Sequence, residues 1–318
     1  MTVDGILNID KPEGKTSFSV ISCLRKLTGE KRVGHAGTLD PLASGVLPVC
    51  FGRATRIIRF LMDAQKTYRA EIELGITTDT FDREGKIVER LDPGYVTEDE
   101  IRRVLCSFKG VIAQTPPIYS ALKYQGRRYY DLARAGEQIE IKPRNIEISR
   151  LDLLSWEMPV LEIEVECSKG TYIRSLANDI GKILKCGGHL KNLVRTKYGP
   201  YDIESAISLS QVEAAIKDDT FSELLDPFDG PLYNLDALLL GDEEEMDVRC
   251  GRSIQVSDTA AIHSGYCRAY SMSGEFIAIL KFVPESTLWH PDVVFAVQQQ
   301  QQKGCNHCEC PAGCCGCQ

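Results

Sequence analysis

Three side chains in this chain have the types and settings to do chemistry together: Asp40, Tyr68 and Arg174. Asp40 lies in Gly34–Gly52, GHAGTLDPLASGVLPVCFG. There, glycines let the backbone pass close to a ligand, and Pro41 biases the aspartate away from the helical region. Tyr68 falls on the inner face of an alternating segment. Arg174 opens a predicted helix, where the helix dipole mildly disfavours a cation, so it is expected to answer to a specific anion. A carboxylate sheltered from water drifts toward its neutral acid, and a neighbouring arginine reverses that drift. A charged, desolvated carboxylate is a nucleophile or a base. A tyrosine ring beside it offers a stacking surface to a planar substrate such as a nucleobase. The body of the sequence has no metal-ligand constellation and neither G-x-x-x-x-G-K-[ST] nor G-x-G-x-x-G. Cofactor-free chemistry on a ring is what these residues suit.

The elements that must position them are legible in outline. Ile6–Ile9 reads as a short strand, and Ser17 is placed to cap a helix running to about Leu27, with Val20, Ile21 and Leu24 inward. Val46–Phe51 is an apolar run with the look of a buried strand. Ala54–Met62 reads as a helix. From Lys66 to Gly75, Tyr68, Ala70, Ile72 and Leu74 alternate with Thr67, Arg69, Glu71 and Glu73, the period of a half-buried strand. Thr97 and Glu100 form a capping box ahead of Ile101, Val104, Leu105 and Phe108. Tyr129–Ala135 reads as a short helix. A second alternating strand ends at Cys167, and a helix follows with Ile173, Leu176, Ala177, Ile180 and Leu184 inward. Strands and helices mix without regular βαβ alternation, which predicts an α+β fold.

Length allows two domains, and no apolar run approaches a membrane span. The start has no basic-then-apolar signal segment, so a cytoplasmic protein is expected. The net charge of −8 is unevenly spread: residues 1–202 hold 31 Lys and Arg against 27 Asp and Glu, while residues 203–318 hold 6 against 18. The first part carries basic clusters at Arg53, Arg56 and Arg59, at Lys123, Arg127 and Arg128, and at Lys185, Lys191, Arg195 and Lys197. Interleaved with Tyr119, Tyr124, Tyr129 and Tyr130, they suggest a surface that tracks phosphates. Seven scattered cysteines sit mostly in apolar patterns and read as reduced core residues.

Five motifs in order carry a family resemblance: Gly5–Gly14 (GILNIDKPEG), Val33–Pro48 (VGHAGTLDPLASGVLP), Lys66–Arg69 (KTYR), Lys169–Arg174 (KGTYIR) and Gly188–Leu193 (GHLKNL). The sequence resembles the bacterial tRNA pseudouridine-55 synthases, the TruB family. The resemblance implies a pseudouridine-synthase fold, with a central mixed, mainly antiparallel sheet flanked by helices over residues 1–232. It implies an isomerase that converts uridine to pseudouridine in the T-loop of tRNA, with no cofactor, no metal and no obligatory protein partner. Asp40 matches the family's catalytic aspartate, Tyr68 the tyrosine packed on the target base, and Arg174 the arginine paired with the aspartate. His35, Tyr172 and Leu193 match positions lining the nucleotide pocket. Whether Asp40 attacks C1′, acts as base toward a glycal, or adds to C6 stays open.

Residues 233–296 weakly resemble a PUA-type RNA-binding module, a small β-barrel that would grip the acceptor stem, although the acidic run Asp242–Asp247 departs from a basic RNA-binding face. Residues 297–318 are a glutamine run followed by Cys305, Cys308, Cys310, Cys314, Cys315 and Cys317. Their spacing fits no closed zinc module, and the tail reads as low-complexity, with metal binding as the alternative. Two other functional readings stand beside the leading one: a guide-RNA-dependent synthase that needs protein partners, and an RNA-binding module without turnover.

Overall fold

The computed structural model describes residues 3–118, 123–124, 127–128, 141–256 and 265–295. The expected helix at Tyr129–Ala135 and the cysteine-rich tail lie outside these residues. The chain divides into two compact units, Met1–Asn234 and Leu235–Gln318.

In chain order the first unit runs β1 (Gly5–Lys11), α1 (Ser17–Thr28), β2 (Val33–His35), β3 (Ala43–Phe51), a 3-10 turn into the short α2 (Ile58–Leu61), and β4 (Lys66–Leu74). A hairpin of β5 (Ile76–Thr78) and β6 (Ile87–Arg90) precedes α3 (Glu98–Ser107) and β7 (Gly110–Gln114). The two-residue strands β8 (Lys123–Tyr124) and β9 (Arg127–Arg128) pair with each other. Then come β10 (Arg144–Glu157), β11 (Val160–Cys167), α4 (Ile173–Ile183), β12 (Gly188–Tyr198), β13 (Tyr201–Asp202) and α5 (Leu209–Lys217).

Nine strands make one sheet in the order β1-β3-β12-β4-β11-β10-β7, with β2 added on β3 and β13 on β12. Every pairing is antiparallel except β3 with β12, where Ala43 faces Leu193. The α+β expectation with a mixed, mainly antiparallel sheet therefore holds. The parallel junction matters for function. Asp40 stands just ahead of β3, so the Ala43–Leu193 register brings it to the middle of β12, next to β4, whose Tyr68 faces Arg195.

The apolar side chains of β4 and β11 pack beneath this point with α4 over them. On α4, Ile173, Leu176, Ala177 and Ile180 recur at helical spacing and are all buried. Truncating one such residue, Leu176→Ala for example, removes about 2–5 kcal/mol. Two local expectations change. Thr16 rather than Ser17 caps α1, its hydroxyl accepting from Ser19 N–H at 3.0 Å. The Ala54–Met62 segment begins as 3-10 turns and becomes α-helical only at Ile58. Arg53 is tied to Asp4 at 2.7 Å, and Arg195 is 1% exposed. Arg195 therefore belongs to the interior and not to a surface that tracks phosphates.

The second unit holds β14 (Asp236–Leu239), α6 (Asp242–Arg249), β15 (Tyr266–Tyr270), β16 (Phe276–Val283) and β17 (Leu288–Val294). Among the described residues these strands form a four-stranded sheet, β14-β15-β16-β17, parallel only between β14 and β15. It has its own core, including Val248, Cys267, Leu280 and Trp289. The acidic run opens α6, with Asp242, Glu243, Glu244 and Glu245 in its first turn, where Glu244 accepts from Gly241 N–H at 3.0 Å. Acidic residues there complement the helix dipole, so part of that charge serves the helix itself.

Candidate active site

The loop bearing Asp40 is pinned from three directions. The hydroxyl of Ser17 donates to Leu39 O at 3.2 Å and accepts from Leu39 N–H at 2.9 Å. Lys11, fully buried, donates its ammonium to Pro12 O at 2.9 Å, to Lys15 O at 2.5 Å and, at 3.5 Å, to Pro41 O. Burial lowers its pKa to about 8, and the three carbonyls offset the cost of holding a cation there. Arg195 donates to Gly37 O at 3.1 Å. Gly37 has φ +72°, and a Cβ there would stand 2.7 Å from the Tyr198 ring. A residue with a side chain would be both strained and blocked.

Asp40 meets Arg174 at 2.9 Å, Oδ2 to Nε. Arg174, in the first turn of α4, also reaches Asp82 Oδ2 at 3.3 Å and Thr80 O at 3.5 Å. The anion expected for a cation at a helix start is thus a pair of carboxylates. They differ in setting. The Asp40 side chain is 39% exposed and faces a cleft, whereas that of Asp82 is 6% exposed. Asp82 is satisfied on its other oxygen by the Thr80 hydroxyl at 2.6 Å and Glu84 N–H at 3.0 Å. Such bonding is what makes a buried carboxylate tolerable.

The cleft has a volume of about 310 Å³ and is lined by Asp40, Tyr68, Tyr172, Arg174 and Leu193, together with Lys66, Lys169 and Arg195. That volume lies at the small end of ligand sites, suited to one nucleotide-sized group. Its charged lining is four cations against one carboxylate, in a chain whose net charge is −8. Tyr68 is buried, and burial pushes its phenol above the ordinary range while the Arg195 guanidinium opposes that shift. Tyr172 is held by its backbone: Gln114 Oε1 accepts from its N–H at 2.8 Å, and Gln114 Nε2 donates to its carbonyl at 3.1 Å.

The structure thus brings Asp40, Tyr68, Arg174, Tyr172 and Leu193 to one cleft. His35 is not among its lining residues. It sits on β2 opposite Val49, half-buried, with Nδ1 lacking a hydrogen-bond partner among the described residues. Burial, then the charge of Arg195, lowers its pKa. Asp82, Gln114, Lys11 and Arg195 escape the sequence reading as parts of the site. Asp82 had one signal: Thr78, Thr80 and Asp82 alternate just before Gly85, and Asp-x-x-Gly is a turn that an aspartate closes on its own backbone. Nothing in the spacing pointed to Arg174, which is 92 residues away.

The sequence matches the TruB family pseudouridylate synthase N-terminal domain over residues 25–173 and the tRNA pseudouridylate synthase B C-terminal domain over residues 174–240. A Dehalococcoides mccartyi protein named tRNA pseudouridine synthase B is 42% identical over 296 residues, 93% of this chain and 98% of that one. A protein of the same name from Caldanaerobacter subterraneus subsp. tengcongensis is 49% identical over 214 residues, 67% of this chain and 75% of that one. Among solved structures, a chain of an H/ACA RNP bound to a substrate RNA containing 2'-deoxyuridine superposes with a TM-score of 0.71 at 26% identity, covering 93% of this chain and 86% of its own length. The pinned loop, the paired aspartate and these matches lead to one assignment: the chain belongs to the TruB family of pseudouridylate synthases.

Proposed function

We propose that this chain isomerises uridine to pseudouridine at position 55 in the T-loop of tRNA, acting alone and without a cofactor. The observation that carries the reading is the cleft, where one carboxylate, paired with Arg174 at 2.9 Å, is surrounded by cations and flanked by the Tyr68 ring. A cleft of this size and charge suits a single uridine swung out of its stack with its phosphates, at an unstacking cost of a few kcal/mol recovered from those contacts. Tyr68 and Leu193 sandwich the base, and Tyr172 borders it. Asp40 starts the reaction at C1′, at the sugar proton that yields a glycal, or at C6; each route begins from the same carboxylate. The uracil then turns and rejoins through C5, and Tyr68 handles the proton that C5 must lose. His35, outside the cleft, meets the RNA around the vacated stack. The second unit is a PUA-type module that contacts the acceptor stem.

The relatives matched over nearly their whole length are named as tRNA enzymes. The ribonucleoprotein chains align at 25–26% identity. That contrast favours a stand-alone enzyme in the cytoplasm over a guide-RNA-dependent one. The test uses purified protein and a tRNA transcript carrying tritium at uridine C5. One tritium released per tRNA, abolished when U55 is replaced by cytidine, is the expected result. No release from the intact transcript overturns the reading. Release that persists without U55 overturns the position.

A further inference from the structure

Arg195 stands on β12 directly across from Tyr68 on β4, and cross-strand partners share a face of the sheet. It borders the cleft although it is 1% exposed. Its Nε donates to Val46 O at 2.7 Å, a terminal amino group donates to Gly37 O at 3.1 Å, and the guanidinium lies 4.9 Å from the Tyr198 ring centroid. These partners are two carbonyls and a ring. None carries a full negative charge, and no carboxylate among the described residues forms an ion pair with it. Arg174, in the lining of the same cleft, has two carboxylates. Arg195 is therefore a desolvated cation whose charge goes unanswered inside the protein, and such a charge acts strongly on its neighbours. Lys66, whose ammonium lies 4.7 Å from the other partner of that stack, the Tyr198 ring, has its pKa lowered to about 8 by burial and by Arg195.

We propose that Arg195 is a positioning residue that works through Tyr68, fixing the phenol beside the bound base and stabilising the phenolate that forms during the reaction. The proposal rests on the reading of Tyr68 as the handler of the C5 proton. Once C5 is bonded to C1′, the ring still carries the C5 hydrogen while N1 has none. N1 and C5 flank C6 on one edge, so a single oxygen serves both. The phenol gives its proton to N1, the phenolate takes the proton from C5, and the phenol is restored with no proton gained or lost. Burial opposes the phenolate, and so does the charge of Asp40 on the loop. Arg195 opposes that trend through its charge. Tyr198 on β12, Lys66 on β4, Cys167 at the end of β11 and Arg174 on α4 complete the ionisable groups around the phenol.

The experiment follows the phenol and the proton separately in Arg195→Lys and Arg195→Met. In tyrosine-labelled free enzyme, with Tyr68→Phe used to assign the signal, the phenol's NMR titration midpoint moves to higher pH in Arg195→Met, and Arg195→Lys restores part of the shift. In single turnover, Arg195→Met slows pseudouridine formation about 10²-fold and develops an isotope effect with deuterium at C5, while RNA affinity is unchanged. Added to Tyr68→Phe, it costs nothing more. Arg195→Lys keeps donors for both carbonyls and serves if Arg195→Met fails to fold. An unchanged phenol midpoint, or a rate loss carried by weaker RNA binding with no isotope effect, overturns the proposal. Full turnover by Tyr68→Phe overturns the reading beneath it instead.

Discussion

Two buried arginines line one cleft and are treated in opposite ways. Arg174 is held between two carboxylates, Asp40 at 2.9 Å and Asp82 at 3.3 Å. Arg195 is held by two carbonyls and the Tyr198 ring. The first arrangement fixes the cleft carboxylate in place with its charge balanced. The second leaves a positive charge for whatever negative charge the reaction develops. The difference shows that arginine count says little about a site. What decides its chemistry is which guanidinium already has a counter-charge.

The two arrangements can be disrupted one at a time. Arg174→Met should have the largest effect, because it strands the buried Asp82 carboxylate. Removing one partner of a buried pair costs about 3–5 kcal/mol, read by denaturant unfolding, and catalysis should fall about 10³-fold in single turnover. A stability loss with normal turnover would separate the ion pair from the chemistry. Asp82→Asn is milder, since the amide oxygen still accepts from Thr80 and Glu84 while the charge is removed. About 1–3 kcal/mol of stability and roughly tenfold in rate should go, with RNA affinity unchanged. The salt dependence of RNA binding distinguishes exposed from buried cations. Lys169→Gln should flatten the log–log slope by about 0.7–0.9, whereas Arg195→Met should leave the slope as it is. A slope change in Arg195→Met would mean that its charge meets phosphate directly. At the small end, Thr97→Ala, which breaks the capping box of α3, should cost about 1 kcal/mol and leave turnover untouched. A change in turnover there would mean that global stability, and not the cleft, governs the rates above.

Much of the fold could be read because burial imposes a period. The alternation through Tyr68, Ala70, Ile72 and Leu74 is that of β4, and Ile173, Leu176, Ala177 and Ile180 mark the buried face of α4. The dipole argument for Arg174 was also sufficient to demand an anion. What could not be read comes from contacts across the chain. Arg195 looks like one more surface cation, and only its register against Tyr68 on β4 places it inside. Asp82 has the local pattern of a turn aspartate and gains its role from a helix in a distant part of the sequence. Ser17 has the right type for a helix cap, yet its hydroxyl serves Leu39 in the loop that bears Asp40, and the neighbouring Thr16 takes the cap. His35 shares a motif with Asp40 but stands on a strand outside the cleft. Sequence proximity is therefore a poor guide to which residues share a wall.

The most direct test of the central claim compares wild type with Asp40→Asn at saturating enzyme, reading tritium release from C5 and tRNA affinity on the same preparations. Asp40→Asn should bind tRNA within about threefold of wild type, while its release falls by about four orders of magnitude or more. Release within tenfold of wild type, from a variant that still binds, would contradict it.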